Sequence, residues 1–145
     1  MGQGGQAVVL CKTTNVMVVV PGERVEAGLA QSVGRHGWTL LLAPTMGQAL
    51  REVHRRRPYL VIQQICPPLE RSLNMIRHIR RGQPYLPLIA AAVQHDENVE
   101  QQARGAGASY YLPDAMKSDQ IDEAVSAVLE QTATAHEKAA LARTG

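Results

Sequence analysis

His95, Asp96 and Glu97 stand in a row and are the first side chains that could hold a metal or move a proton. Consecutive residues do not share a face of a helix or strand, so three ligands are not expected to converge from this run. Asp96 instead has the type and place of a helix N-cap, with Glu97 in the first turn. Cys11 and Cys66 are the only cysteines. Isolated and without a Cys-x-x-Cys pair, they give neither a zinc site nor a disulfide framework, and they fit a reducing compartment. Two arginine runs, His54-Arg55-Arg56-Arg57 and Arg77-His78-Ile79-Arg80-Arg81, could face phosphates or an acidic protein. Helix C-termini also attract cations on their own account, which is the plainer reading of Arg55, Arg56, Arg57, Arg80 and Arg81. Aromatics are few, with one Trp, four Tyr and no Phe. None reads as interleaved with the arginines, so base stacking is not expected and nucleic-acid binding by this domain alone is not either.

Phosphate-binding loops are missing. Pro21-Gly22-Glu23-Arg24-Val25-Glu26 lacks the Gly-x-Gly-x-x-Gly pattern, and Gly105-Ala106-Gly107 precedes a strand, where it makes a turn. No Walker motif, His-Glu-x-x-His or Gly-x-Ser-x-Gly occurs. The Asp-x-His-x-x-Gly loop of cobalamin-binding domains is absent from residues 21–27. No base–nucleophile pair emerges, so the chain is not expected to be an enzyme and no cofactor or metal is expected.

The elements that would position these residues are easier to read. A chain of 145 residues suits one domain with one core. Apolar content of 45% and a net charge of +2 describe a globular chain, too weakly basic to argue polyanion binding from charge alone. No apolar run reaches the ~20 residues that span a bilayer, and the start lacks the basic region of a secretory signal. A cytoplasmic location is expected.

Val16-Met17-Val18-Val19-Val20 is a continuous run for a strand buried on both faces. A helix is expected from about Glu23 to His36, with Val25, Leu29 and Val33 on one face and Gly37 as its stop. Residues 38–42 give the next strand. Thr45 is placed to cap a helix that runs to Arg57 and ends before Pro58. Residues 59–65 form the third strand, and Leu69, Leu73, Ile76 and Ile79 mark the helix that follows. A strand at 87–93, a polar helix at 96–105 and a strand at 109–112 come next. Ile121, Ala124, Val125, Val128 and Leu129 share one face of the last helix. Residues 1–14 read as a partly disordered extension, with an apolar patch at Ala7–Leu10 that carries no evident role. Residues 15–131 form the domain. Residues 132–145 read as a helical extension or a linker to a further domain.

Alternating strands and helices require a parallel sheet covered on both faces. The order and detail resemble the receiver domains of response regulators over about residues 15–131. "RGAGASYYLPDAMKSDQIDEAVSAVL" is similar to the family's Gly-Ala-x-x-Tyr-Leu-x-Lys-Pro stretch, and "RPYLVIQQICPPLERSLNMIRHIRR" to its Pro-Asp-Leu-Val-Leu-x-Asp stretch. "QPYLPLIAAAV" resembles its fourth strand. The resemblance implies a flavodoxin-like (βα)5 three-layer sandwich with strand order 2-1-3-4-5. Helices one and five would form one layer, helices two to four the other.

That resemblance also locates what is missing. The family's acidic pair, which holds a divalent cation, falls on Val20 and Pro21, and neither offers the hard oxygen ligand Mg²⁺ requires. The phospho-acceptor falls on Gln64, whose amide is no nucleophile. The hydroxyl position is Ala92, and the lysine position is Asp114, a reversal of sign. Tyr111 keeps the place of the family's switch aromatic, whose ring turns inward or outward. It would belong to a face made with Asp114 and residues from about 96–130. A half-buried Tyr with its hydroxyl in water is the plainer alternative. A pseudo-receiver is therefore expected: a phosphorylation-independent module that dimerises or docks a protein through its helix 4–strand 5–helix 5 face. The alternatives are a small-ligand sensor, with Gln64 and Asp114 as hydrogen-bonding groups, and a basic-patch nucleic-acid binder.

Overall fold

The computed structural model describes residues 8–10, 16–43 and 45–144, with side chains over 16–43 and 45–131. Its aliphatic runs become strands β1 (Val8–Leu10), β2 (Val16–Val20), β3 (Thr39–Leu42), β4 (Leu60–Ile65), β5 (Leu88–Ala92) and β6 (Tyr110–Leu112). They form one sheet in the order β1-β3-β2-β4-β5-β6. The last five are mutually parallel, and their order is the expected 2-1-3-4-5. β1 is an addition: it pairs antiparallel with β3, Val8 opposite Leu42. The apolar patch that has no evident role in the sequence thus covers an edge whose backbone would otherwise lack partners.

Among the described residues five helices cover the sheet: α1 (Ala27–His36), α2 (Met46–Arg56), α3 (Leu69–Gly82), α4 (Glu97–Ala106) and α5 (Ser118–Thr144). Strand parity sorts the core into two halves. Val18, Val20, Leu60, Ile62 and Ala91 face Leu29 and Val33 of α1 and Ile121 and Val125 of α5. Met17, Val19, Val61, Ala90 and Ala92 face α2, α3 and α4. The backbone of α5 continues as helix to Thr144, through the expected tail.

Thr45 caps α2 as its spacing predicts, in a reciprocal box: Gln48 N–H donates to its hydroxyl at 3.2 Å, and Thr45 N–H donates to the Gln48 side chain at 3.1 Å. Asp96 caps α4 by accepting the Asn98 N–H at 2.8 Å. α1 starts at Ala27, four residues later than the expected Glu23. Contacts from Gln64 of distant β4 hold the preceding segment extended. A polar seam joins α1 to α5: Asp122 accepts from Ser32 at 2.9 Å and Arg35 at 2.5 Å, and lies 3.0 Å from His36 Nε2.

The arginine runs end α2 and α3, at the end of the sheet opposite the C-terminal ends of the parallel strands. They do not form one uniform free patch. Arg55 and Arg56 share the Glu52 carboxylate, at 3.5 and 3.0 Å. Arg80 is turned inward: its guanidinium donates to the carbonyls of Gly107 at 2.9 Å, Gln83 at 3.1 Å and Pro84 at 2.9 Å, and to the Ser109 hydroxyl at 3.1 Å. It is a bracket between two loops, a correction to its place among surface cations. Burial lowers its pKa from the ordinary value.

Candidate functional site

The C-terminal ends of β2, β4 and β5 open onto a cleft of about 740 Å³, on the side where open α/β sheets bind ligands. The five positions singled out from sequence behave differently there. Val20 and Ala92 are buried at 0% and 1% exposure and add their side chains to the core, not to the cleft. Asp114 folds onto its own turn, its carboxylate accepting the Met116 N–H at 2.9 Å. Pro21 and Gln64 do line the cleft.

Gln64 sits near the end of the central strand β4, on the α1 side by parity. Its Nε2 donates to the Arg24 carbonyl at 2.9 Å, and its Oε1 accepts the Glu26 N–H at 2.8 Å. A second contact of Nε2 reaches the Cys66 sulfur at 3.0 Å. Both polar ends of the amide are thus committed to the chain itself. This clamp holds residues 24–26 extended and delays the start of α1. A 2% exposed amide with its bonds made is a structural group rather than an open receptor for a ligand. The expectation that Gln64 and Asp114 offer hydrogen bonds to a small molecule does not match these contacts.

Arg71, unremarked in the sequence, closes the other side of the turn. Its guanidinium donates to the Pro21 carbonyl at 2.6 Å. Glu23, Arg24 and Glu26 add charge around the mouth. A divalent cation of the kind the resemblance implies does not fit this turn. Val20 and Pro21 bring no carboxylate, the Pro21 carbonyl is taken by a cation, and no cluster of three metal-ligating side chains occurs among the described residues. Cys66 also faces the cleft, and burial pushes its thiol pKa up, against the lowering effect of the Gln64 hydrogen bond. A raised pKa keeps it a thiol near neutrality and a poor nucleophile.

Tyr111 is turned inward. It is 5% exposed, packs among the residues facing α4, and its hydroxyl lies 3.2 Å from His95 Nδ1. The rings of the two residues are 5.6 Å apart and tilted. Burial raises the phenol pKa, and the charges of Glu100 and Asp96 add to the rise, while a hydrogen bond from the Asp96 backbone opposes it. The hydroxyl is therefore not left in water, and the ring offers no surface to a partner in this state. Tyr110, of opposite parity, is 40% exposed.

No protein-family model matches the sequence, and no curated protein matches it either. Solved structures do. The likeness to NtrX of Brucella abortus has a TM-score of 0.70 at 22% identity, over 87% of this chain and 29% of that longer one. A response regulator from Thermotoga maritima gives 0.66 at 23% identity, over 81% and 99% of the two chains. The receiver domain of NtrC4 from Aquifex aeolicus gives 0.67 at 17% identity, over 83% and 99%. The chain has the receiver-domain fold of two-component response regulators.

Proposed function

We propose that this chain is a pseudo-receiver, a phosphorylation-independent interaction module of signal transduction or transcriptional regulation, not an enzyme. It works in the cytoplasm as a homodimer or as a dock for a second protein. The observation that supports this most is the Gln64 clamp. The group at the phospho-acceptor position is neither a nucleophile nor free, and Arg71 holds the adjoining turn where a metal would be needed. What remains of the fold's working parts is its outer face at α4, β6 and α5. Glu97, Asn98, Gln101, Lys117, Gln120 and Glu123 are exposed there. Residues 86–131 hold eight acids against two basic residues; of the acids Asp122 is already paired with Arg35, so a second protein that docks there presents cations.

Amide spectra of the labelled full chain test the reading. Beryllofluoride with Mg²⁺ should move no resonance. Saturable shifts confined to residues 20–26 and 64 would restore a phosphoryl switch and sink it.

The cleft supports a second reading, since about 740 Å³ lies within the range of small-molecule sites. A metabolite held there would contact Glu23, Glu26 and Arg71 rather than Gln64. Ligand-dependent rise of the melting temperature, abolished by Arg71→Ala, would favour it.

A further inference from the structure

Three of the four tyrosines are exposed at one end of the sheet: Tyr59 at 65%, Tyr85 at 95% and Tyr110 at 40%. Topology puts them there. Arg55-Arg56-Arg57-Pro58-Tyr59-Leu60 and Arg80-Arg81-Gly82-Gln83-Pro84-Tyr85-Leu86 are one device used twice. Arginines end a helix, a proline breaks it, and a tyrosine precedes the next strand. β4 and β5 are parallel neighbours with Val61 opposite Leu88, so Tyr59 and Tyr85 both stand just ahead of that aligned pair. Tyr110 opens β6, opposite Ile89. The N-terminal ends of three neighbouring strands, spaced about 4.8 Å apart, therefore each have a tyrosine nearby, with Tyr110 level with Ile62 and Ile89 and so further along the sheet than Tyr59 and Tyr85. Each of the first two tyrosines follows an arginine run in sequence, and the fold brings Arg80, Tyr85 and Tyr110 to one cleft.

The surface is also built. The Arg80 bracket ties the loop before Tyr85, through Gln83 and Pro84, to the loop before Tyr110, through Gly107 and Ser109. Ser109 in turn accepts the Leu88 N–H at 3.2 Å. Tyr85 and Tyr110 line one cleft of about 270 Å³ between them. Charge completes the picture. Residues 51–85 hold eight of the chain's fifteen Lys and Arg but two of its thirteen acids. Arg57 and Arg81 are exposed, and Glu52 is a single carboxylate shared by Arg55 and Arg56.

We propose that this edge binds single-stranded nucleic acid, with tyrosine rings stacking on bases and the exposed arginines taking phosphates. An acidic peptide would satisfy the arginines but brings no aromatic faces for three exposed rings. Bases do, and every base has a face to stack, so binding is tolerant of sequence. The site lies at the opposite end of the sheet from Gln64 and does not rest on the receiver reading.

Fluorescence anisotropy of the full chain tests it, with a labelled oligodeoxythymidine of about 12 nucleotides and an oligoglutamate peptide of the same length. The oligonucleotide should bind and weaken steeply between about 50 and 200 mM salt. Tyr59→Ala with Tyr85→Ala should cost about 10- to 100-fold in affinity with the salt slope kept. Arg57→Ala with Arg81→Ala should lower the slope by about 1.4. Should the double tyrosine variant fail to fold, Tyr85→Ala alone, at a side chain 95% exposed, must still weaken binding. No oligonucleotide binding, affinity indifferent to the tyrosines, or equal affinity for the peptide would each overturn the proposal.

Discussion

The side-chain carbonyl of Gln64 accepts the backbone N–H of Glu26 at 2.8 Å, while the same amide's nitrogen donates to the Arg24 carbonyl at 2.9 Å. The neighbouring Gln63 is as deeply buried but half satisfied. Its Nε2 donates to the Ser72 carbonyl at 2.8 Å, and its Oε1 has no protein partner among the described residues. Two adjacent glutamines on the central strand thus face opposite sides of the sheet with opposite energetic standing.

Replacing each with Met should separate them. Gln64→Met leaves the Glu26 N–H and the Arg24 carbonyl without their partner, and should cost about 1–3 kcal/mol. Gln63→Met removes a buried orphan acceptor at similar volume but also one bond, to the Ser72 carbonyl, so it should cost less than Gln64→Met, within about 1 kcal/mol. Urea unfolding of both variants checks this. Equal losses would show that the clamp has no special role.

Restoring the carboxylate alone should not restore the reaction. Gln64→Asp loses the Nε2 donor and places an anion in a buried site, so stability should fall at least as far as in Gln64→Met. Ala92 and Asp114 still provide no hydroxyl and no cation for a phosphoryl group. Intact mass after treatment with acetyl phosphate and Mg²⁺ should show no adduct. A phosphorylated variant would mean that the surrounding site is more complete than its side chains suggest.

Local signals made the sheet legible. Val16–Val20 and Leu60–Ile65 are unbroken apolar runs, and Thr45, Gly37 and Pro58 punctuate the helices between them, so strand order followed from the resemblance. β1 was not legible, because three apolar residues have no period and β3's free edge is a property of the sheet. The start of α1 is not legible locally, because the clamp on it comes from 38 residues away in sequence. Arg80 read as a surface cation for the same reason: Gly107 and Ser109 lie 27 and 29 residues further on. The positions of Val20, Pro21, Gln64, Ala92 and Asp114 could be found by alignment to a family pattern. What Gln64 and Arg71 do could not, since the bonds to Arg24, Glu26 and Pro21 are long-range.

Two glycines of α1 should respond oppositely to alanine. A Cβ on Gly28 would lie 2.4 Å from the Met116 carbonyl carbon and 2.5 Å from the Ala115 oxygen. Both are backbone atoms of the loop between β6 and α5, so relief requires the helix or the loop to move. Gly28→Ala should cost about 1–3 kcal/mol. Gly34 has nothing within 4 Å of its Cβ position, and Gly34→Ala should stabilise the helix by about 0.5–1 kcal/mol. Thermal melts of the two variants on either side of the wild type would confirm that α1 is seated on that loop. A tolerated Gly28→Ala would contradict the close approach.

Alkaline pH should loosen the fold in two stages. Burial raises the pKa of Cys66 above its ordinary 9.0 and that of Tyr111 above its ordinary 10.0. For each group the unfolded chain gives up its proton first, so above the ordinary value the native state binds more protons than the unfolded state. Stability then falls as pH rises, and the loss ends only once the raised native pKa is passed. The stabilising difference is fully present below pH 9.0. Denaturant midpoints measured upward from neutrality should stay level, decline from about pH 9 through Cys66, and decline further beyond about pH 10 through Tyr111. Cys66→Ala should remove the first limb and Tyr111→Phe the second. The Phe variant should also lose the contact with His95, so its stability near neutrality should drop slightly while its alkaline decline flattens. A Tyr111→Phe profile parallel to the wild type above pH 10.0 would place the phenol in water rather than in the core position described.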